Sequence, residues 1–322
     1  MQNKPLALFL SSDGGLRAMN PGVEWERCLD RKELHMHELE LVRPGPEDVP
    51  ELGRICFEAF RQVSEGHGFE RDFPDAETAA KVIGLILGLP GSFGVAARND
   101  GRLVGSNFLL LTDEVAGLGP ITVDPAYHGR GIGRRLMGAA LDYARQHGYE
   151  RVRLLQDSFN TTSLSLYASL GFDVREPIGM MTAPPAAAPD ATVRRAGLDD
   201  LAVLGELGVR FYKVSRRNEL AEWLGCGMPV LVREVQGRVR GYLAPGKVGH
   251  GVAESEADAL ALIGQVGRYA PTGLDMFFCP LRNTSLYRAA LRAGCRLSKV
   301  MTLMTVGPYE EPAPVWMPSI AY

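Results

Sequence analysis

Residues Ile121-Thr122-Val123-Asp124-Pro125-Ala126-Tyr127-His128-Gly129-Arg130-Gly131-Ile132-Gly133-Arg134-Arg135-Leu136-Met137 decide how this chain is read. A short β-branched run ends at a proline, three glycines fall within five residues, and an amphipathic helix opens. Glycine adopts positive φ freely and lets backbone N–H groups come close to a ligand. Those N–H groups, with the positive end of the helix, make an anion site. Arg130, Arg134 and Arg135 add charge, and pyrophosphate is the natural guest. A P-loop needs Gly-Lys-Ser/Thr, which is absent. A dinucleotide-binding turn needs G-x-G-x-x-G and an acid about 20 residues on. Here the spacing is Gly129-x-Gly131-x-Gly133, and no suitable acid ends the next strand at the distance that turn requires.

Outward from the loop, the pattern is mixed α/β. Residues 40–43 read as a short strand. Val49, Leu52, Cys56, Ala59 and Phe60 recur at helical spacing, as do Ala79, Val82, Ile83, Ile86 and Leu87. Strands at 93–98 and 103–111 are joined by the hairpin residues Asn99-Asp100-Gly101, and 119–123 reads as a further strand. After the loop come a helix from about 133 to 147, a buried strand at 152–156 and a helix at 162–170 stopped by Gly171.

The order then repeats. Val42-Arg43 matches Val193-Arg194 at an offset of 151, and residues 101–105 match 237–241 at 136. Asn160-Thr161, Gly171 and Met181-Thr182 match Asn283-Thr284, Gly294 and Met304-Thr305 at 123. A collinear set with a shrinking offset points to a duplication whose second copy lost about 28 residues (151 − 123). Within it, a hairpin at Gln236-Gly237, helices at 257–266 and 285–292 and a strand at 274–279 are expected. Three prolines in 183–190 cannot continue a helix and mark a linker. The expected layout is a loosely ordered extension (1–38), a first copy (39–182), the linker (183–190), a second copy (191–306) and a tail (307–322).

Composition narrows the function classes. The 322 residues carry 35 basic and 38 acidic side chains, a net charge of −3, which provides no general attraction for nucleic acid. The arginines scatter rather than form a stripe. No run approaches the roughly 20 apolar residues of a membrane helix. Cys28, Cys56, Cys226, Cys279 and Cys295 are odd in number, widely spaced and without a C-x-x-C pair, which argues against a disulfide framework or structural zinc and fits a reducing cytoplasm. His35-x-His37 lacks the partner cluster that a metal would need.

The loop and a second motif together resemble the GNAT superfamily of acyl-CoA-dependent N-acyltransferases. The family signature is Q/R-x-x-G-x-G/A after a strand ending in V-x-P. Here Val123-Asp124-Pro125 precedes residues 128–133, with His128 where the family usually has Gln or Arg. The later motif is Asn160 with Leu166-Tyr167-x-x-x-Gly171-Phe172. The resemblance covers residues 39–182. Residues 191–306 follow the element order but keep few signature residues.

The resemblance implies an α/β (α+β) protein of two tandem GNAT-like domains, each a mixed, mostly antiparallel sheet flanked by helices. It implies acetyl transfer from acetyl-CoA, without a metal, to a primary amine of a small molecule or peptide, by direct attack on the thioester. Backbone groups of Ile121, Thr122 and Val123 would pair with the pantetheine arm. His128, Gly129, Arg130, Gly131, Ile132, Gly133 and Arg134 would surround the pyrophosphate, and Asn160 would bond the pantetheine or its surroundings. Tyr167 would be the acid for the leaving thiolate. Asn160 reads equally as a helix cap and Tyr167 as a core aromatic. Many relatives carry Glu on the strand before the loop, but residues 117–123 hold no acid. Glu114, beside Asp113, is the nearest candidate base. The loop at 64–74, with its acids, His67 and aromatics, would border the acceptor. At offset 123, residues 128–133 correspond to 251–256, where Val252, Glu254 and Glu256 replace the glycine pattern, and Ala290 stands at the Tyr167 position. The second copy is therefore expected to bind no CoA and to serve as a built-in partner, in a monomeric pseudo-dimer or a homodimer. No nucleic acid or membrane partner is expected. The alternative is a non-catalytic CoA- or acyl-CoA-binding regulatory protein.

Overall fold

The computed structural model describes residues 8–10, 16–18, 39–185, 187–271 and 273–321. The expected loose extension, with Cys28, His35 and His37, lies outside the described residues except for two short strands. These are β1 (Leu8–Leu10) and β2 (Leu16–Ala18), paired antiparallel.

The first copy runs β3 (Leu39–Val42), α1 (Val49–Gly66), α2 (Ala76–Gly88), β4 (Ser92–Asn99), β5 (Arg102–Leu110), β6 (Ala116–Leu118), β7 (Thr122–Val123), α3 (Ile132–Gln146), β8 (Val152–Asp157), α4 (Thr161–Ser169) and β9 (Asp173–Thr182). The β4–β5 turn places Asp100 and Gly101 at φ 51° and 76°, the left-handed pair that a two-residue hairpin favours. The single strand expected over 119–123 is divided into β6 and β7. Pro120 has no N–H to continue a ladder, and Gly119 turns the chain at φ 134°.

The second copy repeats this order as β10 (Val193–Arg195), α5 (Leu201–Tyr212), α6 (Arg217–Gly225), β11 (Leu231–Val235), β12 (Arg238–Leu243), β13 (Gly251–Ala253), α7 (Glu256–Tyr269), β14 (Met276–Pro280), α8 (Thr284–Arg292) and β15 (Arg296–Val306). A last strand, β16 (Trp316–Met317), follows. The same local chemistry opens both copies. The Gly45 N–H donates to Asp48 at 3.0 Å, and the Gly197 N–H donates to Asp200 at 2.8 Å.

Two faces of the first sheet are covered differently. Met137, Ala140 and Ala144 of α3 are buried against Leu109 and Leu154 on one face, and Leu136 packs with Val95 and Val104 beside them. Leu52 and Cys56 of α1 and Ile83 of α2 close over Phe108 on the other. Burying each Leu- or Met-sized side chain stabilises by about 1.5–3 kcal/mol. Successive residues of β5 serve opposite faces. Gly105 lets Leu136 and the Thr122 carbonyl approach, Asn107 bonds the Leu136 carbonyl at 3.4 Å, and Phe108 joins the α1 side.

The sheets do not divide as the repeat divides. One sheet has the order β14-β9-β15-β8-β6-β5-β4-β3, with β7 added to β5, and the other has the order β10-β11-β12-β13-β16. The last strand of each copy is exchanged. β15 of the second copy pairs with β8 of the first, and β9 of the first pairs with β14 of the second. The registers are reciprocal at the offset of 123 (301 − 178). Met301↔Asp157 in one pair maps onto Ile178↔Pro280 in the other. β9 and β15 also pair with each other, and Ile178↔Met301 maps onto itself, which puts a pseudo-two-fold axis there.

Candidate active site

The first copy contains an opening in its sheet. β6 and β8 run parallel and pair only at Ala116↔Val152 and Gly117↔Arg153. Beyond Gly119-Pro120 the chain follows β5 alone, with Gly105↔Val123 and Ser106↔Thr122. The far half of β8 pairs on its other side with β15. A wedge is left between β7 and β8, bordered by the backbone of Ile121, Thr122 and Val123, and an extended chain could add to it by main-chain hydrogen bonds.

The glycine loop lies at the entrance to α3. Gly129 and Gly131 have φ 75° and 77°, and a Cβ built on either would meet nothing within 4 Å. These glycines serve backbone conformation and open approach rather than tight packing. Gly131 is the N-cap of α3 and no side chain caps the helix, so its first N–H groups point outward as an anion cradle. Gly133 differs, since its Cβ position lies 3.4 Å from Leu166, where α3 and α4 come together. Ile132 is a core side chain, so only its N–H can face a ligand. His128 Nε2 lies 2.9 Å from the Val123 carbonyl and ties the loop to β7. Arg130 stacks 5.0 Å over the Tyr127 ring, and Arg134 donates to Ser169 Oγ at 2.8 Å. Both guanidinium groups are at the surface beside the cradle. The geometry and charge of this segment fit a pyrophosphate.

Asn160 is the N-cap of α4, its Oδ1 accepting from the Ser163 N–H at 3.1 Å. Tyr167 is buried against Phe172, in the core position of its aromatic reading. Burial pushes its hydroxyl up to about 12 against a contact with Ser163 that lowers it, and the charge of Asp157 raises it further. It therefore keeps its proton at any working pH.

Glu114 is placed elsewhere. It lies before β6, at the closed end of the β6–β8 pair, whereas the wedge opens at the other end of β8, roughly 17 Å along the strand. Its carboxylate pairs with Arg151 at 3.2 Å and accepts from the Ser215 N–H of the second copy at 3.2 Å. Asp113 accepts from the Asn218 and Glu219 N–H groups at 3.1 and 3.0 Å and so caps α6. Both acids hold the copies together, which corrects the expectation that Glu114 is the base.

A charged cluster that the sequence reading missed lies on the α1 side. Lys299 Nζ, from β15, is 2.8 Å from both Asp72 Oδ1 and Asp157 Oδ1. Lys247 Nζ reaches Asp72 Oδ1 at 3.2 Å, and Ser64 Oγ donates to Asp72 Oδ2 at 3.1 Å. Burial would raise Asp72, but Lys299 and Lys247 outweigh it and hold the carboxyl below its ordinary value. Asp157 is raised, by burial first and by Asp72 too, against Lys299. The signal was an acid ending the buried strand β8. The lysines come from the second copy, so spacing within the first could not reveal them. Among the described residues, no group of three His, Cys, Asp or Glu could hold a metal ion.

Among the described residues the second copy has no corresponding opening, for a different reason from the one expected. Gly251–Ala253 is strand β13, the counterpart of β6, not of the glycine loop. Residues 119–131 of the first copy are replaced by Glu254 and Ser255, and Ser255 caps α7 directly. The gap beside β13 is filled by the chain's own β16, through Gly251↔Met317 and Val252↔Trp316, which also lies against β14.

Residues 55–172 match the profile of the Acetyltransferase (GNAT) family. The chain is 31% identical over 186 residues to a mycothiol acetyltransferase of Nocardia farcinica, covering 53% of this chain and 58% of that one. It is 34% identical over 138 residues to a mycothiol acetyltransferase of Tsukamurella paurometabola, covering 41% and 47%. These matches span about half the length of the relatives. In fold, it is similar to a putative acetyltransferase of Pyrococcus horikoshii, with TM-score 0.71, 18% identity and coverage of 88% and 95%. A GCN5-related N-acetyltransferase of Sphaerobacter thermophilus aligns with TM-score 0.60, 20% identity and coverage of 86% and 98%. The wedge beside β8 and the uncapped glycine loop opening α3 both lie in the first copy, within the segment, residues 55–172, that matches the GNAT family.

Proposed function

We propose that the first copy is an acetyl-CoA-dependent N-acetyltransferase acting on a primary amine of a small molecule or peptide. The observation that carries this reading is the open wedge between β7 and β8 next to an uncapped glycine loop, a pair of features that the second copy lacks. The N–H groups of residues 129–134 hold the pyrophosphate, with Arg130 and Arg134 beside it. The edges of Ile121–Val123 align the pantetheine arm. Bound acetyl-CoA supplies an activated acyl carbon. Tyr167, protonated throughout, is the donor to the departing sulfur. The second copy is a built-in structural partner. No described helix is long and apolar enough to cross a membrane.

Thiol release from acetyl-CoA tests the reading, measured with an amino sugar, a polyamine, an amino-acid amide and a free peptide N-terminus as acceptors. Amine-dependent release is expected. Tight CoA binding without release on any of them would favour the regulatory alternative.

A further inference from the structure

The proposed transfer needs a group that takes a proton from the acceptor ammonium, and no acid lies on residues 117–123. We infer that Asp157 is that group and that Lys299, donated by the degenerate copy, positions it. This inference rests on the acetyltransferase reading above.

The placement is topological first. Asp157 is the last residue of β8, on the lip of the wedge. If the parallel register of Ala116↔Val152 and Gly117↔Arg153 is continued across the opening, Thr122 falls about level with Asp157. Ser106 is opposite Thr122 on β5. Both hydroxyls are buried, and neither has a hydrogen-bond partner. Buried hydroxyls without partners are costly and uncommon, and they mark a place where an incoming polar group would be satisfied. Ser106 precedes Phe108 by two residues and shares its α1-side face. On that same side Asp157 meets Lys299 and, through it, Asp72 of the α1–α2 loop. Tyr167 approaches from α4, close enough that the Asp157 charge acts on its hydroxyl. Acid and base thus flank the end of the wedge, and the orphan hydroxyls line the acceptor side.

The surroundings explain how a buried carboxylate stays usable. Asp157 is 8% exposed and Lys299 7%. The charged groups facing Asp157 are Lys299 from β15, Asp72 from the α1–α2 loop and Lys247 from the loop after β12. Lys299 keeps it ionised, while Asp72 and burial hold its proton affinity above that of a surface aspartate.

The step balances. Asp157 takes one proton from the bound ammonium and releases it to solvent. The freed nitrogen lone pair forms the N–C bond, and the C–S bond breaks with its electron pair on sulfur. Tyr167 gives its proton to that sulfur and regains one from the new amide nitrogen.

The experiment measures kcat against pH with acetyl-CoA and the best amine of the panel, using kcat because it reports groups in the bound complex. Asp157→Asn is expected to lower kcat by about 100-fold or more and to remove the acid limb, with CoA affinity unchanged. Asp157→Glu should restore the limb. Lys299→Met should move the limb to higher pH, since removing a cation favours the protonated carboxyl. An unaltered limb in Asp157→Asn, with only a lower melting temperature or a higher KM, would overturn the inference while leaving the transferase reading intact. A wild-type protein that binds CoA but transfers to no amine would remove that reading and the inference with it.

Discussion

At the scale of single residues, the glycine loop separates side chains from backbone. Gly131 has left-handed φ and open space at its Cβ, so Asp can be accommodated there at modest cost. Gly131→Asp puts an anion in the pyrophosphate seat without disturbing the core. It is expected to cut CoA affinity at least 100-fold in fluorescence or calorimetric titration, with the melting temperature within a few degrees of wild type. Unchanged affinity would place the cofactor elsewhere. Tyr167→Phe should lower kcat by 10²–10⁴-fold with CoA affinity spared, as loss of a proton donor requires. Parallel loss of both would show Tyr167 to be a packing residue. The glycine loop was legible as a turn into a helix because positive φ and open approach call for glycine by residue type alone. Asp157 and Lys299 were not, since an acid at a strand end and a lysine 142 positions away (299 − 157) become a pair only through the exchanged strand.

At the scale of elements, helices and hairpins were the most readable parts. α3 spans 132–146 where 133–147 was expected, and both hairpin turns carry positive φ at the expected residues, Asp100-Gly101 and Gln236-Gly237. β9 and β15 gave no periodic signal. Their sequences mix charge with apolar residues, Asp173-Val-Arg-Glu-Pro-Ile-Gly-Met-Met-Thr182 in the first case, because only part of each strand is buried. β16 was equally silent, being two residues long. It nevertheless closes the second copy over a buried cluster. Tyr212 donates to the Met317 carbonyl at 2.6 Å, and Arg216 donates to Ser319 Oγ at 2.9 Å. His250 sits there between Tyr242 Oη at 3.2 Å and Glu219 Oε2 at 3.4 Å. Burial first, then Arg216, lowers its pKa to about 4 against the opposing charge of Glu219. Unfolded, it would titrate near 6.5. The folded protein therefore binds fewer protons between those values, and stability falls as pH drops from about 6.5 to 4, by an amount of order 3 kcal/mol. Thermal melting of His250→Gln should show a flatter slope across that window than wild type. An identical slope would mean that His250 is not the group that titrates.

At the scale of the whole molecule, the duplication is an assembly. Each copy's last strand pairs with a strand of the other, β15 with β8 and β9 with β14, and the Ile178–Met301 pair marks the axis. The loop after β5 docks on the start of α6, while the loop after β12 reaches the α1–α2 loop through Lys247. One of these reciprocal contacts walls the candidate site, and the other is structural. Ile178→Asp, buried at the axis, should destabilise both halves in a single transition, because β9, β14 and β15 join strands of both copies in one sheet. Two separate transitions in calorimetry would contradict the exchange. The central claim is that one copy has a cofactor wedge and the other has filled it with β16. Isothermal titration of the full chain with CoA tests it most directly. The account predicts one site per chain, abolished by Gly131→Asp. Two sites per chain, or one that survives that substitution, would contradict it.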